Sequence, residues 1–126
     1  MNALVVGCGG FIGAVSRYLL STYINRLISS SLPVATLVIN ILGSFLIGLI
    51  AQQLPLLFPN NKRLPLFLTT GILGGFTTFS AFSMETVNLY QNGYTAYAVL
   101  NVVLSITFCI AGTILGKFLA KVIVNL

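Results

Sequence analysis

The chain has 126 residues, 57% of them hydrophobic and 6% charged. A soluble domain carries about a quarter charged residues, so these numbers exclude a water-covered surface and leave lipid as the main solvent. Six basic residues, one acidic residue and no histidine give a net charge of +5. The basic residues are scattered, which excludes the clustered basic face of a nucleic-acid binder, and a lone carboxylate without histidine supplies no acid–base pair and no side-chain metal site, which argues against an enzyme.

At this length one domain is expected, residues 1–126, built as an all-α bundle of four transmembrane helices. About 20 apolar residues cross the hydrocarbon core, and four runs are long enough: roughly 2–28, 32–54, 64–89 and 94–124. The first has no basic residue before Arg17, so it reads as a retained membrane helix and not a cleaved signal. "ISSSLP" leads into the second run, with Pro33 suited to a first helical turn. "LPLLFPNNKRLP" joins the second and third with three prolines, and Asn92-Gly93 marks a turn between the third and fourth. Cys8 and Cys109 lie far apart in apolar stretches and read as buried small hydrophobes. With four spans both termini share a side. That side also holds Lys62, Arg63, Lys117 and Lys121, so the positive charge favours the termini inside and suits contact with anionic lipid.

Polar groups at membrane depth point at protein or at a water-filled path. In the second run Thr36, Asn40, Gly43 and Ser44 recur at helical spacing; Asn101, Ser105, Cys109 and Gly112 do so in the fourth, and Gly9, Gly13 and Arg17 in the first. Close helix packing accounts for the glycines and Ser44. Asn101 and Ser105 fit packing or a pathway equally well, whereas the mid-membrane amide of Asn40 points to function. Arg17 suits either a structural pairing or an aqueous vestibule. Glu85, the one acid, reads first as an interfacial or ion-paired group.

The stretch "GGFTTFSAFS", residues 74–83, concentrates helix-weakening features. Gly74-Gly75 is a weak point, and the hydroxyls of Thr77, Thr78 and Ser80 compete with the helix ladder. These residues predict an interruption at membrane depth, which is tolerated where it is buried or lines a cavity and which frees carbonyls and N–H groups as ion ligands. Phe79 and Phe82, three apart, share a face beyond it. Ring edges carry positive potential, so beside Thr78, Ser80, Ser83 and the Asn40 amide they offer a small anion weak contacts without a fixed charge, as conduction requires.

"GGFIGAVSRY" (9–18), "TLVINILGSFLIG" (36–48) and "GILGGFTTFSAFSME" (71–85) together resemble the signature segments of the Fluc, or CrcB-like, family of fluoride channels. The resemblance spans nearly the whole chain. It implies a passive fluoride-selective channel of the bacterial inner membrane, assembled as an antiparallel, dual-topology homodimer. Two pores would run along the subunit interface, the third helix would be broken at its centre, and a structural sodium ion would sit at the dimer centre. Carried over by motif, the fluoride pore would involve Phe79, Phe82 and Asn40, with Ser80, Ser83 and Ser105 as further lining hydroxyls. Gly74 and Thr77 would give carbonyls to sodium, and Arg17 would face the vestibule. The positive-charge bias is larger than ideal dual topology requires.

A proton-coupled exporter resembling small multidrug-resistance transporters is the alternative at this size. That design needs a carboxylate in the first helix, where this chain has Arg17. An accessory membrane subunit with no pathway is a third reading, opposed by polar stripes on several helices.

Overall fold

A computed structural model describes residues 1–125 and is helical nearly throughout. The first helix, α1 (Asn2–Leu27), is about 39 Å long at 1.5 Å per residue. It ends where Ile28 turns extended, at φ −123° and ψ 114°. Pro33 caps α2 (Val34–Ile50), and after a turn a short α3 (Leu54–Leu57) carries its proline in the first turn, where a missing N–H costs nothing. These two elements together form a 24-residue apolar span, Val34–Leu57.

The next span, Arg63–Gln91, is the least regular. Asn61 opens it by accepting the backbone N–H groups of Arg63 and Leu64 on Oδ1, at 3.2 and 3.1 Å. A single turn, α4 (Arg63–Pro65), leads into a π-helical stretch, Leu66–Leu73. Then come α5 (Gly74–Phe76), two residues of extended backbone, and α6 (Phe79–Gln91). The last helix, α7 (Thr95–Val124), runs unbroken for 30 residues.

The turn between α6 and α7 closes as a Schellman motif: Gly93 N–H donates to Tyr90 O (3.1 Å) and Tyr94 N–H to Leu89 O (2.8 Å). Gly93 has φ +85°, a left-handed conformation that a Cβ would oppose.

Two helix pairs make the bundle. In one, α1 lies against the π-helical stretch and α5; in the other, α2 lies along α7, and α6 bridges to α7. Both pairs approach backbone to backbone through glycine. A Cβ on Gly9 would sit 2.6 Å from Phe67 O and 2.9 Å from Gly71 Cα. Gly48 and Gly116 are equally closed by Thr113 O and Phe45 O. Small residues at such contacts let dispersion and polar contacts hold helices together where lipid removes the hydrophobic drive. The buried core is accordingly small, with Ile39 and Asn101 the largest fully buried side chains, while Leu4, Phe11, Tyr18, Ile114 and Phe118 stand exposed. All four spans are long and apolar enough to cross a bilayer, and the protein is a multi-pass membrane protein.

Candidate functional site

The site is built around Thr77 and Thr78, the extended pair between α5 and α6. Thr77 has φ −79° and ψ 155°, and Thr78 φ −149° and ψ 111°. Backbone groups at membrane depth need partners, and side chains from other helices supply them. Asn40 of α2 engages Thr78 twice: Thr78 N–H donates to Asn40 Oδ1 at 2.8 Å, and Asn40 Nδ2 donates to Thr78 O at 3.0 Å. Thr78 Oγ1 caps α6 by accepting Ala81 N–H at 3.2 Å. Arg17 Nε donates to Gly75 O at 3.2 Å.

These replacements take the helical donors of two carbonyls. In an uninterrupted helix Gly74 O would accept Thr78 N–H, but Asn40 Oδ1 takes that donor. Thr77 O would accept Ala81 N–H, but Thr78 Oγ1 takes that one. Gly74 and Thr77 therefore each present a carbonyl that has lost its helical donor. The glycines themselves are helical. A Cβ on Gly75 would overlap α1 at Gly10 O and lie 3.2 Å from Ala14 N, so that glycine serves helix packing.

A groove of about 400 Å³ opens beside the extended pair. It brings together Asn40, Gly74, Thr77, Phe79, Phe82 and Ser105 from the candidate pore and ion-binding residues, includes Ser44 and Cys109, which the sequence assigns to packing, and adds Thr69. No charged side chain lines it among the described residues. Phe82 is buried, whereas Phe79 is 77% exposed on the open side. Their ring centroids lie 5.3 Å apart with planes tilted by 50°, so the two rings form one aromatic wall. Ser105 is buried, and its Oγ has no hydrogen-bond partner among the described residues. A buried hydroxyl in that state is ready to serve a ligand.

Ser80 and Ser83 lie outside this groove. Ser80 Oγ is 3.4 Å from Thr78 Oγ1, and Ser83 Oγ donates to Phe79 O at 3.0 Å. Asn101 also turns elsewhere. Its Nδ2 donates to Thr86 Oγ1 at 2.9 Å, and Thr86 donates to Phe82 O at 2.7 Å, which ties α7 to the turn that carries Phe82.

Arg17 and Glu85 share a second cavity, of about 230 Å³, with Thr36, Ile39, Thr78 and Ala81. Glu85 Oε1 accepts the Thr36 hydroxyl at 2.8 Å, and its Oε2 is buried with no partner among the described residues. Thr36 was read from the sequence only as one member of a stripe. Its pairing with Glu85 joins residues 49 apart in the chain, for which helical spacing gives no signal.

Comparison with known proteins adds the family. The family described as "CrcB-like protein, Camphor Resistance (CrcB)" matches residues 4–117. A "Fluoride-specific ion channel FluC" of Ruminiclostridium cellulolyticum is 62% identical over 126 residues, covering 100% of this chain and 97% of that one. Proteins of the same name from Elusimicrobium minutum (45% over 120 residues; 94% and 93%) and Shewanella pealeana (48% over 118 residues; 92% and 93%) are also similar. The match runs through the residues that build the groove and through the extended pair: the chain belongs to the CrcB-like family.

Proposed function

We propose that this protein is a passive fluoride channel, and not an enzyme. The observation that carries the reading is the groove beside Thr77–Thr78. It joins an aromatic wall, an amide and an orphaned hydroxyl without a formal positive charge. The names of the relatives supply the ion: proteins 62% and 45% identical are called fluoride-specific channels. Neutral donors and ring edges hold a small halide weakly enough to release it, whereas a buried lysine or arginine would trap it. A negative-inside potential then drives the anion out, at about 2.3 kcal/mol per charge per 100 mV.

The finer arrangement is part of the same proposal. The third span acts as a broken helix, with the non-helical Thr77 and Thr78 as the interruption. The groove is open on one side, and Phe79 stands exposed there, so a second copy packed against that face would close it away from lipid. An antiparallel, dual-topology homodimer does this symmetrically and gives two pores along the interface. Phe79, Phe82, Asn40 and Ser105 line each pore, Ser80 and Ser83 stand nearby, and Arg17 faces the vestibule. The carbonyls of Gly74 and Thr77, without their helical donors, suit a structural sodium ion shared between subunits. The proton-coupled exporter is not favoured: the one carboxylate lies outside the groove, bonded to Thr36.

The test is efflux from liposomes containing the purified protein, followed with a fluoride electrode and with chloride as control. Rapid fluoride loss without chloride loss is expected. Equal loss of both ions, or efflux that depends on a proton gradient, overturns the reading.

A further inference from the structure

Arg17 reaches across 58 residues of sequence to donate Nε–H to Gly75 O. In a continuous helix that carbonyl would accept from Phe79 N–H. Phe79 instead opens α6, beyond the extended pair, so Gly75 O has lost its donor as Gly74 O and Thr77 O have. What differs is that a side chain replaces it. Gly9, Gly13 and Arg17 follow one another at i, i+4 and i+8 on one face of α1. The two glycines press that face onto the third span's backbone. Arg17 comes one turn later, at the level where α5 ends.

We propose that Arg17 is a positioning residue for conduction: its Nε–H stands in for the missing helical donor and turns the Gly75 carbonyl toward α1. The interruption is thereby held in one geometry, with Gly74 O and Thr77 O among the carbonyls left without a helical donor and the chain aimed into Phe79. The charge of the guanidinium is secondary to this bond. The inference rests on the channel reading above, but it names a different role for Arg17 from attraction of the anion by its charge.

Side-chain length separates the two roles. The Nε2 of glutamine lies as many bonds from Cα as the Nε of arginine, so Arg17→Gln keeps the donor and removes the charge. Arg17→Lys keeps the charge and moves the donor one bond farther out. Arg17→Met keeps neither. Fluoride efflux from liposomes would be measured for all three, each checked for assembly by size exclusion. Labelling glycine with carbonyl 13C and phenylalanine with 15N selects two carbonyls by NMR, Gly75 before Phe76 and Gly10 before Phe11. The first reports the bond directly, with the second as reference.

Arg17→Gln is expected to conduct within about threefold of the unsubstituted protein, and Arg17→Met to fall by about tenfold or more, the cost of leaving a half-buried carbonyl without a donor. The Gly75 resonance should stay in place in the first and move in the second. Arg17→Lys conducting fully while Arg17→Gln falls as far as Arg17→Met would overturn the proposal, because charge alone would then matter. Full flux and an unmoved Gly75 resonance in Arg17→Met would overturn it as well. If Arg17→Met fails to assemble, the remaining pair decides: Gln above Lys supports the role, and Lys equal to or above Gln removes it. Failure of the channel reading looks different, since the unsubstituted protein would then pass no fluoride while the Gly75 resonance still reported the bond.

Discussion

The two cavities beside Thr78 divide the polar chemistry of the protein between them. The larger groove is lined by an amide, hydroxyls, two rings and aliphatic side chains such as Ile47 and Ile106, with no charged side chain among the described residues. The smaller cavity holds Arg17 and Glu85, each engaged by the protein through Gly75 O and Thr36 Oγ1. Thr78 belongs to both linings. Charged groups at membrane depth are costly unless paired, and here they lie outside the groove that neutral groups line. A path for a small anion needs that separation, because a cation in the groove would bind the ion without releasing it.

The wall between the cavities stands on Asn40, and removing that side chain is the most severe way to break the comparison. Asn40→Leu leaves Thr78 N–H without a partner and takes from Thr78 O, the N-cap carbonyl of α6, the amide donor it has besides the first helical N–H. An unsatisfied N–H at membrane depth costs about 1–3 kcal/mol, so thermal unfolding in detergent should show a loss of about that size, and fluoride efflux should be abolished. Asn40→Asp keeps the acceptor for Thr78 N–H, loses the donor to Thr78 O and adds a negative charge at the groove. It should therefore retain more stability than Asn40→Leu while conducting as poorly.

On the charged side, Thr36→Val is nearly isosteric and removes the donor to Glu85 Oε1. Because Oε2 has no partner either, the carboxylate would be left without support among the described residues. A loss of about 2 kcal/mol is expected, the worth of a hydrogen bond to a charged group. If the charged cavity is frame and not path, flux per assembled protein should stay near that of the unsubstituted chain. A drop in flux with unchanged stability would merge the two regions into one path.

Much of the architecture was legible in the sequence, and the reasons can be named. Lipid demands long apolar runs, so the four spans stand out by length alone, and Asn92-Gly93 shows its turn because only glycine fits φ +85° there. Asn40 stood out because an amide in mid-membrane is costly. The interruption was harder to place. The hydroxyls of Thr77, Thr78 and Ser80 mark the right place, but the Gly74-Gly75 weak point beside them is helical, and Gly75 is small because α1 lies against it. The residues that leave the helix are Thr77 and Thr78, and what allows them to do so is Asn40, 38 positions away. The bonds of Arg17 to Gly75 and of Thr36 to Glu85 are similarly long-range. No local pattern encodes such pairs. The π-helical Leu66–Leu73 left no sign either, since Thr69, Thr70 and Gly71 weaken a helix without saying which hydrogen-bond register replaces it.

The two phenylalanines sharpen the neutral side because they differ in burial. Phe82 is packed into the protein and Phe79 is exposed on the groove. Replacing either with isoleucine removes the ring edge. Each should reduce fluoride efflux by about tenfold, equivalent to about 1.4 kcal/mol, if the ring edge is what contacts the ion. Only Phe82→Ile should also lower stability, by about 1–2 kcal/mol for an imperfect core exchange. Unchanged flux in both would remove the aromatic wall from the path.

The mildest test concerns Ser105, whose hydroxyl is buried at the groove without a partner. A hydroxyl in that state contributes nothing to folding and costs its desolvation, about 1–3 kcal/mol in protein terms. Ser105→Ala should therefore leave stability unchanged or raise it slightly, the reverse of the usual effect of removing a buried polar group. If the hydroxyl donates to the passing ion, flux should fall about two- to threefold, with the half-saturating fluoride concentration rising more than the maximal rate falls. Stability that drops instead would mean the hydroxyl already holds the fold together, and Ser105 would move from the conducting side of the comparison to the frame.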